Sequence, residues 1–364
     1  MNGLGQERMK VEFRHKISPD EIQRILIRST NWVGDTVMML PSLVAVRKTF
    51  PRAEITVLTT PWVLPLFENH PAVDRTIVMD KGRGLMREFK EVLLIISRLR
   101  SVRFDLAVLF QNAFEAALLS YLGGIRYRVG YNTDGRGFFL THRVIRDEEI
   151  LSAHQIDYFL GLVGAMGWQV TETKPVVYLN EEDTKAINRI LSSEGICDND
   201  VLVGLNPGAA YGPAKRWPAE RFAVIGDWAS KRWNAKAVLF GSSSEAVIAE
   251  DVATHMKAEA LNMSGKTTLG QAMALIKRCD FFLTNDSGLM HIAAALNRPL
   301  VAMFGPTNHL QTRPVSRYAR MVRHDFECSP CLKEVCPLDH RCMLSIEPHE
   351  VWREMEDLEK EVLR

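Results

Sequence analysis

Residues 25–59 read ILIRSTNWVGDTVMMLPSLVAVRKTFPRAEITVLT, and this stretch decides the fold class. A short apolar run at 25–29 ends in a polar loop that contains a glycine. Apolar residues then follow at helical spacing over 38–49, and a second strand pattern covers 55–59. A strand, a helix and a second strand in this order form a βαβ unit. The stretch therefore predicts an α/β fold, with helices on both faces of a parallel sheet.

The same alternation continues along the chain and restarts after the polar residues 171–174. A length of 364 residues suits two domains better than one. Further strand patterns lie at 77–79, 106–110, 201–205, 237–240, 281–284 and 300–304. We predict one Rossmann-like domain over residues 1–175, a second over residues 176–347, and a C-terminal helix over residues 348–364 that packs back across the hinge.

Composition and charge exclude several classes of protein. The 45 Lys and Arg residues nearly balance the 44 Asp and Glu residues, so no overall field favours nucleic acid. No apolar run is long enough to span a membrane, and residues 1–10 lack the apolar core of a signal peptide. We expect a cytoplasmic protein that binds no nucleic acid, and peripheral contact with a membrane stays open.

The loop after the first strand pattern contains Gly34 and Asp35. In doubly wound sheets, ligands bind beyond the carboxyl ends of the strands, so loops at these ends are candidates for function. Two roles for Asp35 are open. It is either the N-cap of the following helix, or a general base that the helix N-terminus keeps ionised.

The loop NPGAAYGPAKRWP, residues 206–218, follows a strand pattern and combines small residues with Lys215 and Arg216. Small residues let a ligand approach the backbone, and two cations just before a helix suit phosphate groups. A surface loop with solvated charges is the alternative. The spacing of its glycines is not that of a Walker A loop.

The loop TNDSGLMH, residues 284–291, also follows a strand pattern and opens an apolar helix. The backbone amides and hydroxyl of Asp286, Ser287 and Gly288 would lie at the helix N-terminus, where a pyrophosphate binds well. His291 lies one turn further on the same side of the helix. A capping aspartate and a hydrogen-bonded core histidine are the alternatives.

Two further features leave alternatives open. Glu245 follows another strand pattern within GSSSE, residues 241–245, where it either binds a ribose or starts a serine-rich helix. Four cysteines lie within 15 residues near the end of the chain, with His340 among them. Such a cluster in a reduced compartment indicates a structural metal clip, with zinc or another metal, or an iron–sulfur ligand set, and uncommitted thiols are the alternative. These cysteines are Cys328, Cys331, Cys336 and Cys342.

Five segments, in this order, resemble the ADP-heptose:lipopolysaccharide heptosyltransferases of Gram-negative bacteria, glycosyltransferase family 9, and most of all their heptosyltransferase II branch. The segments are VGDTVMMLPSLVAVRKTFP (33–51), NPGAAYGPAKRWP (206–218), FGSSSE (240–245), TNDSGLMHIAAAL (284–296) and FGPT (304–307). The resemblance implies a GT-B fold, in which two Rossmann-like domains face a central cleft. It also implies inverting, metal-independent transfer of L-glycero-D-manno-heptose from ADP-heptose to heptosyl-Kdo2-lipid A. No cofactor is then required for catalysis, and the enzyme would work at the inner face of the inner membrane.

The resemblance also assigns roles to individual residues. Asp35 matches the catalytic base and Lys215 the residue that binds the phosphates and stabilises the leaving ADP. The pyrophosphate loop matches Asp286, Ser287, Gly288 and His291, and the nucleoside contacts match Glu245 and Thr267. The phosphorylated acceptor needs cations on the first domain, and the candidates are Arg83, Arg87 and Arg136.

Other activities stay open beside this one. Heptosyltransferase I, or another GT-B transferase with a different nucleotide sugar, would carry similar loops. A sugar-nucleotide epimerase or hydrolase of the same two-domain fold would release its product without an acceptor. A non-catalytic nucleotide-binding module would have no use for a base at Asp35.

Overall fold

The computed structural model describes residues 9–13, 15–80, 82 and 85–362. The chain divides into two compact units, of which the first ends at Tyr178 and the second begins at Leu179. Each unit is built on a sheet of its own. Among the described residues, no helix is long and apolar enough to cross a membrane.

The first unit contains a seven-stranded sheet in the part of the chain that the structure describes. Its strands are β1 (Val11–Phe13), β2 (Arg24–Arg28), β3 (Glu54–Thr59), β4 (Arg75–Val78), β5 (Leu106–Leu109), β6 (Tyr127–Tyr131) and β7 (His142–Val144). The strand order is β1-β7-β6-β5-β2-β3-β4, and β1 alone pairs antiparallel with its neighbour. The helices are α1 (Val33–Thr49), α2 (Leu85–Val102), α3 (Phe114–Leu122), α4 (Glu148–Ser152) and α5 (Gln155–Ala165), with 3-10 turns at Pro19–Glu21, Pro61–Leu66 and Arg136–Phe139.

The second unit, described as far as residue 362, contains a six-stranded sheet in which every pair is parallel. Its strands are β8 (Leu202–Asn206), β9 (Lys236–Leu239), β10 (Ala260–Asn262), β11 (Phe281–Asn285), β12 (Leu300–Met303) and β13 (Ala319–Val322), in the order β10-β9-β8-β11-β12-β13. The helices are α6 (Glu181–Ser193), α7 (Ala219–Trp233), α8 (Ala246–His255), α9 (Leu269–Arg278), α10 (Gly288–Ala295), α11 (His309–Thr312), α12 (Arg341–Leu344) and α13 (Pro348–Val362). Two 3-10 turns lie at Pro213–Lys215 and Ser243–Glu245.

Both units have the Rossmann strand order. Counted within each unit's parallel strands, the order is 3-2-1-4-5-6, which reverses between the first and fourth strands. The reversal falls between β2 and β5 in the first unit and between β8 and β11 in the second. Ligands bind beyond the carboxyl ends of the strands at such a point, so the fold itself marks two candidate sites.

Local sequence explains where several elements begin. The strands β5 and β8 are buried along their whole length, as expected for strands covered by helices on both faces. The Asn180 side chain accepts a hydrogen bond from the Glu182 amide and caps α6. Thr268 and Gln271 form a reciprocal capping box at the start of α9.

The final helix, α13, belongs to the core of the second unit. Its residues Val351, Met355 and Leu358 are buried against that core, and the helix packs on α7, β12 and β13. The Trp233 indole also donates a hydrogen bond of 2.7 Å to Glu359. A helix thus occupies Pro348–Val362 near the end of the chain, and its packing back across the hinge stays a prediction.

Candidate functional site

Two buried asparagines hold together the loops that follow β8 and β11. Asn206, the last residue of β8, donates through Nδ2 to Thr284 Oγ1 and to Ser287 Oγ, each at 2.9 Å. Asn285, the last residue of β11, accepts from the Trp217 amide at 3.0 Å and donates to the Pro207 carbonyl at 2.8 Å. Both asparagines lie in the loops singled out from the sequence, but neither was predicted to have a role. The sequence feature that could have identified them is an amide side chain at the end of a largely apolar strand pattern.

These loops bring Lys215 and Asp286 into contact. The Lys215 Nζ lies 2.7 Å from Asp286 Oδ2, and the two side chains are 14% and 7% exposed. The same ammonium lies 5.0 Å from the centre of the Tyr211 ring. Because the site is nearly closed to water, each charge depends on the other for compensation. The structure thus places a fixed cation at the carboxyl edge of the second sheet.

Helix α10 begins beside this ion pair. Ser287 is its N-cap and its hydroxyl accepts from the Met290 amide at 3.4 Å, so the capping role considered for Asp286 falls on Ser287. Gly288 is the first helical residue, and His291 is buried one turn further on. The first amides of a helix have no partner within the helix and carry partial positive charge. Cation and helix terminus together make this edge suitable for an anionic ligand.

Glu245 and Thr267 lie on the neighbouring loops of the same edge. Glu245 accepts from the Ser242 amide at 2.9 Å as part of a capping box, which is the helix-start arrangement. Its carboxylate occupies the space beside Gly208, where an added Cβ atom would lie 2.4 Å from Glu245 Oε1. Thr267 lies on the loop after β10, directly before the cap of α9. The two loops are joined by the Gly265 amide, which donates to the Gly241 carbonyl at 2.9 Å.

Asp35 lies at the carboxyl edge of the first sheet, in the first turn of α1. The N-cap of this helix is Trp32, so Asp35 is the third helical residue and the N-cap interpretation is wrong. Its side chain is half-buried. The partial positive charge of the helix terminus favours the ionised carboxylate at this position. Such a group is able to accept a proton from a hydroxyl brought within hydrogen-bonding distance.

Two buried arginines, Arg28 and Arg136, support the same edge. Arg28 donates to the Ser29 and Leu58 carbonyls at 3.1 and 3.2 Å, and Arg136 donates to the Tyr131 carbonyl at 2.9 Å. Burial lowers the pKa of each guanidinium to about 10. Arg136 was a candidate for contact with the phosphorylated acceptor. Instead it points inward, because carbonyls at the strand ends need donors.

The remaining cations of the first unit are spread over several elements. Arg87 is exposed on α2, and Arg83 lies outside the described residues. Sequence reasoning missed Arg146, which is half-buried after β7 and donates to Thr133 Oγ1 at 2.9 Å. It also lies 3.4 Å from the hydroxyl of Tyr158, to which Asn112 donates at 2.6 Å. The sequence feature that could have identified Arg146 is its position just after the strand β7.

The four cysteines lie together, but they do not converge on one point. All four line a cavity of about 270 Å³. Within the described ranges, no three His, Cys, Asp or Glu side chains are placed to hold a single metal ion, so the predicted structural metal is not confirmed. The pKa of the Cys342 thiol is raised to about 11, mainly by burial and to a smaller extent by the three neighbouring cysteines.

Comparisons with known proteins agree with this architecture. The sequence pattern of glycosyltransferase family 9 (heptosyltransferase) matches residues 92–341. Lipopolysaccharide heptosyltransferase 2 of Escherichia coli (strain K12) is 33% identical over 313 residues, which cover 82% of this chain and 88% of that protein. The enzyme of the same name from Salmonella typhimurium is 30% identical over 344 residues, covering 92% and 98%.

Solved structures give the same picture. The structure of E. coli ADP-heptose LPS heptosyltransferase II is similar with a TM-score of 0.80 and 28% identity, covering 94% of this chain and 100% of that one. A glycosyltransferase of family 9 from Veillonella parvula is similar with a TM-score of 0.81 and 25% identity, covering 92% and 97%. With the two parallel sheets, these similarities confirm the predicted GT-B fold class.

Proposed function

The chain belongs to glycosyltransferase family 9 (heptosyltransferase), and from this premise we propose that it transfers L-glycero-D-manno-heptose from ADP-heptose to heptosyl-Kdo2-lipid A in the lipopolysaccharide inner core. The observation that carries the proposal is the Lys215–Asp286 pair beside the N-terminus of α10. It lies at the point of the second sheet where the strand order reverses, which is where a nucleotide binds in this architecture.

The donor would bind to the second unit without a metal ion. The amides of Ser287 and Gly288 and the ammonium of Lys215 are donors suited to the pyrophosphate. Glu245 is assigned to the ribose and Thr267 to the adenine through its main chain, since both lie on adjacent loops of this edge. These fixed donors would offset the negative charge that develops on the leaving ADP, which is the task a metal performs elsewhere.

Asp35 is the proposed general base. The acceptor hydroxyl would pass its proton to the Asp35 carboxylate while its oxygen forms a bond to the anomeric carbon. The bond from that carbon to the diphosphate breaks in the same displacement, which inverts the anomeric centre. The electron pair leaves with ADP, whose phosphates Lys215 would hold. A base at the first turn of a helix is weak, which suits late removal of the proton.

The acceptor is acidic and phosphorylated, so its site needs cations. Arg146 is half-buried at the carboxyl edge of the first sheet, close to the loops after β5 and β6, and Arg87 is exposed on α2. We assign the acceptor phosphates to these two residues, and Arg83 stays a prediction. Arg136 is buried on loop carbonyls and is assigned to positioning those loops.

We further propose that the protein meets its lipid-linked acceptor on an anionic membrane surface, through the α2–α3 face. This face is defined by the exposed side chains Phe89, Leu93 and Leu94 of α2, Phe114 and Tyr121 of α3, and Phe138. The elements are adjacent, because α2 packs beside α3 and α3 beside the 3-10 turn at Arg136–Phe139.

The charge of this surface supports a lipid partner. Phe89, Leu94 and Phe138 are 62%, 64% and 77% exposed, and such exposure of large apolar side chains on adjacent elements is typical of an interaction surface. The exposed basic residues Arg87, Lys90 and Arg98 of α2 accompany them. Apolar side chains beside basic ones fit the boundary between acyl chains and anionic headgroups. The proposed place of action is accordingly the cytoplasmic face of the inner membrane.

The test is release of ADP from ADP-heptose in EDTA, with and without heptosyl-Kdo2-lipid A. We expect release to require the acceptor, to survive EDTA and to fall roughly 10²–10⁴-fold in Asp35→Asn, which removes the base. The matched control is Asp157→Asn, since Asp157 is likewise the third residue of its helix, α5. Release from the wild type without acceptor would instead indicate a hydrolase, and loss in EDTA would contradict metal independence.

A further inference from the structure

The cysteine segment, residues 328–342, surrounds a cavity that the proposed reaction does not use. All four of its cysteines line this cavity of about 270 Å³. Cys342 is buried, and Cys328, Cys331 and Cys336 are half-buried. The rest of the wall combines apolar and polar side chains, which are Ala214, Pro306, Pro337 and Leu338 on the one hand and Ser329, Lys333, Asp339, His340 and Arg341 on the other. Four soft ligands therefore share one cavity.

The arrangement does not suit a single ion. A zinc site needs its thiolates about 2.3 Å from one point. No three metal-ligating side chains of the described chain are placed in that way. The four thiols are also free, so they are not paired as disulfides in the described structure. Thiols that line one cavity but do not converge suit a polynuclear cluster, in which each iron takes one thiolate.

The charges around the cavity fit an anionic cluster. Lys333 and Arg341 both line it. Asp339 holds Arg341 in place through an ion pair of 2.7 Å between Arg341 Nη2 and Asp339 Oδ2. Four thiolates that line one cavity repel one another and need positive charge between them. The irons of a cluster would supply that charge.

We propose that Cys328, Cys331, Cys336 and Cys342 bind an iron–sulfur cluster of the [4Fe–4S] type. Binding is a ligand exchange. An assembled cluster gives up its four carrier ligands, four iron–thiolate bonds form, and the four thiol protons pass to solvent. No oxidation state changes in this step. The cluster has a structural role, since no residue assigned to the donor or to the base is among its ligands.

The cluster would brace the loop that holds Lys215. The Ala214 amide donates to the Glu334 carbonyl at 3.0 Å, and the Tyr211 hydroxyl donates to the Leu332 carbonyl at 2.8 Å. At Gly212 a Cβ atom would lie 2.4 Å from the Glu334 carbonyl oxygen, so only glycine allows this approach. The cysteine segment is therefore the support on which loop 206–218 rests. This consequence, unlike the cluster itself, depends on the proposed function of Lys215.

The experiment is anaerobic purification of the full chain, followed by analysis of iron, zinc and acid-labile sulfide. We expect about four iron and four sulfide per chain, with visible absorption that dithionite bleaches. Cys336→Ser should lose this content and colour. Cys197→Ser is the matched control, because Cys197 is an exposed thiol outside the segment, and it should retain both.

Several results would overturn the cluster. Zinc at about one per chain without sulfide would indicate a mononuclear site. Wild-type protein that contains neither iron nor sulfide, and takes up none when reconstituted with iron, sulfide and a thiol reductant, would also overturn it. This wild-type measurement decides the matter even where Cys336→Ser fails to fold. Undiminished heptose transfer by protein free of iron and sulfide would overturn the bracing of loop 206–218 alone, whereas a loaded protein without transfer would overturn the proposed function alone.

Discussion

Lys215 and Asp286 form the ion pair on which the candidate donor site depends. Removing one partner leaves the other charge buried and uncompensated, since the pair is almost closed to water. We expect Lys215→Met to lower the free energy of unfolding by about 3 kcal/mol. It should also weaken ADP binding, because the cation for the phosphates is gone. Urea unfolding and calorimetric titration with ADP measure the two effects.

The double variant separates stability from binding at this pair. Asp286→Leu in the Lys215→Met background removes the second charge as well, so most of the lost stability should return. ADP affinity should stay low, because no ammonium is restored. If the losses in free energy of unfolding of the two single variants simply add in the double variant, the two residues are not coupled.

His70 gives the fold a dependence on pH. It is buried, and its Nδ1 accepts from the Ala72 amide at 3.2 Å, as a neutral imidazole can. Burial lowers its pKa from 6.5 to about 4. Because the pKa of His70 is lower in the folded state than in the unfolded state, the stability that the neutral imidazole contributes is fully present above about pH 6.5. It is lost as the pH falls towards 4. Over that window the loss should approach about 3 kcal/mol.

Urea unfolding of wild type and His70→Asn between pH 7 and pH 4 measures this loss. The stability of the wild type should fall more steeply than that of the variant, which has no imidazole to protonate. Asparagine keeps a hydrogen-bond acceptor near the Ala72 amide, so the comparison isolates the titration. Two stability curves that stay parallel through this range would contradict the assignment to His70.

At the scale of elements, the sequence predicts the strands that are buried along their whole length best. The strand patterns at 106–110 and 281–284 correspond to β5 and β11, because both strands are buried on both faces and read as continuous apolar runs. The strands β1, β6, β7, β10 and β13 were not predicted. β1, β10 and β13 have three or four residues each and lie at sheet edges, and no residue of β1 or β10 is fully buried. β6 and β7 lie inside the first sheet, but Arg128 and Arg143 interrupt their apolar patterns. Their pairing is decided by neighbours distant in sequence, which no local pattern records.

The candidate site was predictable to a similar extent. Its loops could be located, because each follows an apolar strand and carries polar residues that such a strand does not need. The hydrogen-bond partners of the residues in these loops could not be predicted. The bonds from Asn206 to Thr284 and Ser287 join residues about 80 positions apart. The inward direction of the Arg136 side chain likewise depends on carbonyls at the end of β6 and in the loop after β5.

Helix α2 should decide whether the α2–α3 face binds lipid. We expect Phe89→Ser and Leu94→Ser each to reduce sedimentation with vesicles rich in phosphatidylglycerol by about tenfold, since each exposes less apolar surface to the bilayer. Val247→Ser is the matched control, because Val247 is 80% exposed on α8 of the second unit. Added salt should weaken wild-type binding. Equal binding to uncharged vesicles, or binding of a protein partner only, would contradict the anionic membrane.

At the scale of the whole molecule, each unit has its own Rossmann sheet and its own reversal of strand order, so the two ligands should act on separate sets of loops. We expect ADP to slow amide hydrogen exchange in loops 206–218, 241–245 and 284–291 and to leave residues 29–35 unchanged. The reason is that ADP orders the loops it binds. Heptosyl-Kdo2-lipid A in detergent should slow amide exchange in residues 29–35 and leave the three loops unchanged.

Exchange measured by mass spectrometry on the full chain gives this comparison directly. The matched control is Lys215→Met, in which a concentration of ADP that saturates the wild type should protect the three loops less, whereas the response to the acceptor should persist. Saturation also stabilises the protein, by about 2.7 kcal/mol at a hundredfold excess over Kd. Equal protection of residues 29–35 by ADP alone would contradict the assignment of the two ligands to separate sets of loops, because it would place the donor against the loop that contains the proposed base.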